Sequence, residues 1–104
     1  MKKDITTLLD LEKDDFDILF QRAAELKARH KRGIVDTPLR GKTLGLIFDK
    51  KSTRTRLSFE TAMAQLGGTS IFISSQDTQM ARAEPVRDTA RVLSRYLEGL
   101  AIRT

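Results

Sequence analysis

The 104-residue chain is 39% hydrophobic and 32% charged with a formal net charge of +5, which is room for one domain and the composition of an ordinary globular protein, not of a disordered tail or a membrane span. It has no cysteine and one histidine, His30, so a disulfide framework and a thiolate metal site are excluded, a reducing compartment is expected, and no metal or cofactor is. The start, "MKKDITTLLDLEKDD", meets acids within a few residues and carries no long apolar stretch, so it does not read as a signal peptide and the expected location is cytoplasmic.

From residue 13 to 32, Phe16, Leu19, Phe20, Ala23 and Leu26 follow the i, i+3, i+4 rhythm of a helix with one buried stripe. Acids lead this helix and "KARHKRG" closes it, which suits the macrodipole and makes Gly33 the stop. No aromatic residue is interleaved with those cations, so the run reads as a solvated helix end before it reads as a nucleic-acid patch.

After the turn "PLRG", residues 42–48, "KTLGLIF", form the nearly continuous apolar run of a strand covered on both faces. Helical periodicity resumes over residues 52–66, with Leu57, Phe59, Ala62, Met63 and Leu66 available to a core and Gly67-Gly68 ending the helix. "TSIFIS" is a second strand, and residues 75–84 are a polar loop. Pro85 then opens a third helix with a stripe of Val86, Ala90, Leu93, Tyr96 and Leu97, and "GLAIRT" is a third strand. This alternation predicts an α/β fold, an open parallel sheet with right-handed crossovers. An apolar strand at the last residues would leave a sheet edge uncovered, so a fragment or an oligomeric partner is expected.

The chemistry concentrates in "FDKKSTRTRLSFE", residues 48–60, where Lys50, Lys51, Arg54 and Arg56 crowd around Ser52, Thr53 and Thr55. In open parallel sheets ligands settle beyond the carboxyl ends of strands, where helix N-termini present unpaired N–H groups. Ser52 is a good N-cap, and its successors offer amide and hydroxyl donors to a tetrahedral anion. Residues two apart on a helix face opposite ways, which assigns Arg54 to the anion and leaves Arg56 to pair with Glu60 one turn on. A helix N-terminus contributes about 0.3–1 kcal/mol toward an anion. A guanidinium at about 4 Å in an effective dielectric of about 20 offers about 4 kcal/mol before desolvation. The arginine supplies strength and the amides supply position. Spacing alone also admits a plain capped helix with solvated cations. Neither G-x-x-x-x-G-K-[ST] nor G-x-G-x-x-G occurs, which ranks small phosphate ligands ahead of nucleotides. Arg103 is expected at the carboxyl end of the third strand, on the same side of the sheet, where a second guanidinium could converge on that ligand.

On "FDKKSTRTRLSFE" and "SQDTQMARAEPVRDTARVLSRYLEGLAIRT" together, the sequence resembles the transcarbamoylase family, and within it the ornithine branch. The resemblance implies that residues 1–104 are the N-terminal portion of a three-layer α/β carbamoyl phosphate-binding domain, whose remainder and whose amino-acid-binding domain lie beyond Thr104. It implies that Ser52, Thr53, Arg54 and Thr55 hold the phosphate and that Thr55 and Arg103 also reach the carbonyl oxygen. Gln79 matches a family glutamine that enters the neighbouring subunit's site in a trimer, and the absence of a lysine from its loop favours ornithine over aspartate. Asp88 and Arg91 would hold the loop and third helix. Ala81 and Ala83 stand where many relatives have glycine, and Asp49 where a glutamate is common. The family's H-P-x-Q segment would lie beyond Thr104, so these residues alone are not expected to turn over. Competing readings are a transcarbamoylase for aspartate or putrescine, a basic nucleic-acid-binding module resting on Lys27, Lys31 and Arg32, and a non-catalytic oligomerisation module, which a single apolar stripe on the first helix does not favour.

Overall fold

A computed structural model describes residues 4–48, 53–74 and 86–103. The chain forms two compact units, residues 1–36 and residues 37–104.

The first unit opens with a single 3-10 turn, Leu8–Asp10, capped by Thr7 and by Asp10, whose Oδ2 accepts from the Thr6 and Thr7 amides at 2.9 and 3.2 Å. Helix α1, Lys13–Lys31, follows. Its amino end is secured by Asp15, whose carboxylate accepts from the Glu12 amide at 3.0 Å, one of the orphan donors that begin any helix. It stops where the sequence predicts: Gly33 takes φ 79°, a left-handed conformation that costs glycine little, and the Ile34 amide turns back onto the Arg29 carbonyl at 3.1 Å. The expected buried stripe is not found. No residue of α1 is buried, Phe20 is 70% exposed, and Phe16 and Phe20 stack on each other along the helix surface. A 36-residue unit with one long helix has no second layer to bury that stripe.

The second unit is an α/β layer. Strands β1, Thr43–Phe48, β2, Thr69–Ser74, and β3, Gly99–Arg103, form a parallel sheet in the order β2-β1-β3, flanked by helices α2, Thr53–Gln65, and α3, Val86–Ser94. The sheet is open, with β2 and β3 as its edges. The apolar run of β1 earns the central place. Leu46 is fully buried, Ile47 and Phe48 nearly so, and with Met63 of α2 they are the core among the described residues. Gly45 is needed there because Leu97 and Leu100 lie where a side chain on residue 45 would stand. The turn from α2 into β2 places Gly67 at φ 87°, against the Thr37 side chain, and Gly68 donates to the Met63 carbonyl at 2.8 Å.

Several core assignments change: Ala62 and Ala90 are exposed, Phe59 is 39% exposed, and Leu57 and Tyr96 stand out further. Leu57 is 61% exposed, because α2 turns Met63, which is buried, and the Phe59 ring, which meets Phe48, toward a sheet only three strands wide. Tyr96 is 73% exposed and lies outside α3, which ends at Ser94. The amides of Arg95 and Tyr96 bond three residues back, to Val92 and Leu93, and this tighter turn takes Tyr96 off the helical stripe.

Candidate functional site at the carboxyl edge of the sheet

The strand order decides where a ligand can sit. The chain moves from β1 to β2 on one side and then crosses to β3 on the other, so its direction across the sheet reverses at β1. Beyond the carboxyl ends of the two strands flanking such a point, the connecting loops diverge and leave a crevice. Here those strands are β1 and β3, whose last residues are level: Phe48 pairs in register with Arg103, and with Ser74 on its other side.

Arg103 and the first turn of α2 meet above that edge. The Arg103 Nη1 donates to the Thr55 Oγ1 at 3.1 Å, joining residues 48 apart in sequence. Arginine carries only donors, so the threonine oxygen must accept. Its own hydroxyl hydrogen is then directed away from Arg103 and can serve as a donor to another group. The pair therefore groups N–H and O–H donors and carries positive but no negative charge, which suits an anion or a carbonyl oxygen. Thr53 and Arg54 stand exposed in the same turn, and the Arg54 carbonyl accepts from Ser58 Oγ at 2.8 Å. Of the other expected site residues, Ser52 and Gln79 lie outside the described residues, as do Lys50, Lys51, Asp49, Ala81 and Ala83.

Arg56 is turned away from this group, as helical spacing requires. Its Nε sits 3.3 Å from Glu60 Oε1, the expected pair. The sequence did not disclose its second contact: the guanidinium carbon lies 3.8 Å from the centroid of the Phe72 ring on β2. Phe72 in turn meets Phe48 edge to face at 6.1 Å, and Phe48 meets Phe59 of α2 at 6.5 Å. The ion pair is worth about 0.3–0.5 kcal/mol, and the stacked guanidinium adds about 0.5–1 kcal/mol at an exposed site. The sequence signal for this cluster is three aromatic residues, Phe48 at the end of β1, Phe72 two residues short of the end of β2, and Phe59 within α2.

The basic run at the end of α1 is a helix terminus. Arg29 forks onto Asp36 through Nε and Nη2 at 2.8 and 3.1 Å. The hydrogen bond from Arg29 holds the Asp36 carboxyl below the usual carboxylate range, and the same bond raises Arg29. Among the described residues no group of His, Asp and Glu has metal-binding spacing, and no helix is long and apolar enough to cross a membrane.

An open parallel sheet with two donor-bearing side chains converging at its switch point defines an anion-binding α/β domain. Residues 3–104 match the family model described as aspartate/ornithine carbamoyltransferase, carbamoyl-P binding domain, and the chain belongs to that family. It is 57% identical over its whole length to an ornithine carbamoyltransferase of Syntrophus aciditrophicus, and 55% identical over 102 residues to one of Oceanobacillus iheyensis. Among solved structures it is similar to the ornithine carbamoyltransferase from Pyrococcus furiosus, with TM-score 0.91, 44% identity and coverage of 96% of this chain and 32% of that one. It is also similar to a Trypanosoma cruzi aspartate transcarbamoylase solved in complex with carbamoyl phosphate, with TM-score 0.87 and 28% identity over 98% of this chain and 32% of that one. The chain spans about a third of the length of the curated relatives it matches.

Proposed function

We propose that this chain is the carbamoyl phosphate-binding portion of an ornithine carbamoyltransferase. The observation that carries the reading is the Arg103–Thr55 bond at the switch point, in a chain 50–57% identical to relatives named for that activity. In the reaction the side-chain amine of ornithine attacks the carbonyl carbon of carbamoyl phosphate. A nitrogen–carbon bond forms, the carbon–oxygen bond to phosphate breaks, phosphate leaves with the electron pair, and the amine gives up a proton, leaving citrulline. Ser52, Thr53 and Arg54 hold the phosphate in this reading, and Thr55 and Arg103 address the carbonyl oxygen. That oxygen gains negative charge as the amine attacks, so donors already directed at it stabilise the transition state more than the ground state.

The acceptor is ornithine on the strength of 44% identity to a solved structure named ornithine carbamoyltransferase, against 28% for the aspartate enzyme's structure. The missing lysine in the Gln79 loop agrees with it. In the assembled enzyme Gln79 reaches the site of an adjacent subunit of a trimer, and the enzyme works in the cytoplasm. The test is carbamoyl transfer by the full-length chain to ornithine, aspartate and putrescine in parallel. Citrulline formation with the other two amines idle is expected, and preference for either of them would move the chain to another branch of the family.

A further inference from the structure

We propose that Arg56 is a positioning residue for the anion site, setting the rotation of α2 about its own axis by stacking on Phe72. The inference rests on the carbamoyl phosphate reading and deepens it. Arg54 and Arg56 are two residues apart, about 200° around a helix. Whatever fixes the direction of Arg56 therefore fixes the direction of Arg54, on the far side. Arg56 is fixed twice, by Glu60 one turn along its own helix and by the Phe72 ring on the neighbouring strand. The contact with Glu60 is internal to α2 and cannot set the helix relative to the sheet; the contact with Phe72 can. Phe72 is itself braced by Phe48, the last residue of β1 and the register partner of Arg103. One chain of contacts thus runs from Arg103's own strand level through Phe48 and Phe72 to Arg56, and it constrains the turn that carries Arg54 and Thr55. First turns of helices fray, because their amides lack intrahelical partners. A stacked guanidinium in that turn counters fraying where an anion site needs fixed donors.

The test titrates inorganic phosphate calorimetrically into the full-length chain and its Arg56→Lys, Phe72→Leu and doubly substituted forms, with KM for carbamoyl phosphate and for the acceptor measured alongside. Lysine keeps the charge and can pair with Glu60 but loses the planar stack. The phosphate Kd and the KM for carbamoyl phosphate should rise about three- to tenfold in each single variant, with the double variant little worse than either. The acceptor KM should not move. Wild-type phosphate affinity in Arg56→Lys would overturn the proposal, as would a lowered melting temperature with unchanged phosphate Kd. Arg54→Ala is the control that separates the two ideas. If Arg54→Ala weakens phosphate and Arg56→Lys does not, positioning alone fails; if Arg54→Ala binds phosphate normally, the anion site fails and the positioning role falls with it.

Discussion

The Arg103 guanidinium donates to the Thr55 hydroxyl across 3.1 Å, so the threonine oxygen accepts and its hydroxyl hydrogen points away from Arg103. That assignment of proton direction follows from arginine's lack of any acceptor. It separates the two side chains' effects from those of a general positive potential.

Removing either donor should therefore cost catalysis more than binding. Thr55→Val and Arg103→Met in the full-length enzyme are each expected to lower kcat about 10²–10³-fold, the range seen when one preorganised donor to a developing oxyanion is lost. Because the two groups act as a unit, the double variant should be far less impaired than the product of the singles. Steady-state kinetics with carbamoyl phosphate varied at saturating ornithine reads this directly. A pure KM effect would place both residues in ground-state binding only.

Arg54 is expected to behave in the opposite sense. Arg54→Ala should weaken inorganic phosphate about 10–100-fold, as expected for a hydrogen-bonded charge worth about 1.5–3 kcal/mol. Isothermal titration at two salt concentrations checks it, with a shallower salt dependence in the variant.

The Arg29–Asp36 pair predicts an acid-side signature. Asp36 has a depressed folded-state pKa, so its contribution is present above the unfolded carboxylate value of about 3.9 and is lost as pH falls through the lower folded value. Arg29 is raised, so its share persists below its ordinary value and would fade only in strong alkali. Asp36→Asn should lower the melting temperature at neutral pH, and the gap from the parent should close as pH drops below about 4. A constant gap down to the acid limit would exclude ionic linkage as the cause.

Two glycines should resist side chains for different reasons. Gly67→Ala places a Cβ at φ 87° and 2.7 Å from Thr37 Cβ, and is expected to cost about 1–3 kcal/mol. Gly45→Val forces Leu97 and Leu100 off the central strand, and overpacking of this kind costs about 1–3 kcal/mol. Chemical denaturation of the full-length variants measures both. Unchanged midpoints would mean that those contacts relax freely.

Much of this was legible in one dimension. The helix and strand periods, the Gly33 and Gly67 stops, the Arg56–Glu60 pair and the place of Arg103 at a strand's end all depend on residues within a turn or a few positions of one another. The exposure of Leu57 and Tyr96 was not legible, because helical period says that a face is apolar but not how wide the neighbouring layer is, nor at which residue the helix tightens and ends.

The sequence by itself determined the alternation of elements and the donor-rich start of α2, because backbone preferences and side-chain spacing act locally. Only the tertiary structure decided that β3 lies beside β1 and not beside β2, and so that Arg103 reaches Thr55 and Arg56 finds Phe72. Strand order is a choice among pairings of similar apolar content, and it is settled by how the helices and the whole sheet pack together, which no short window of residues contains.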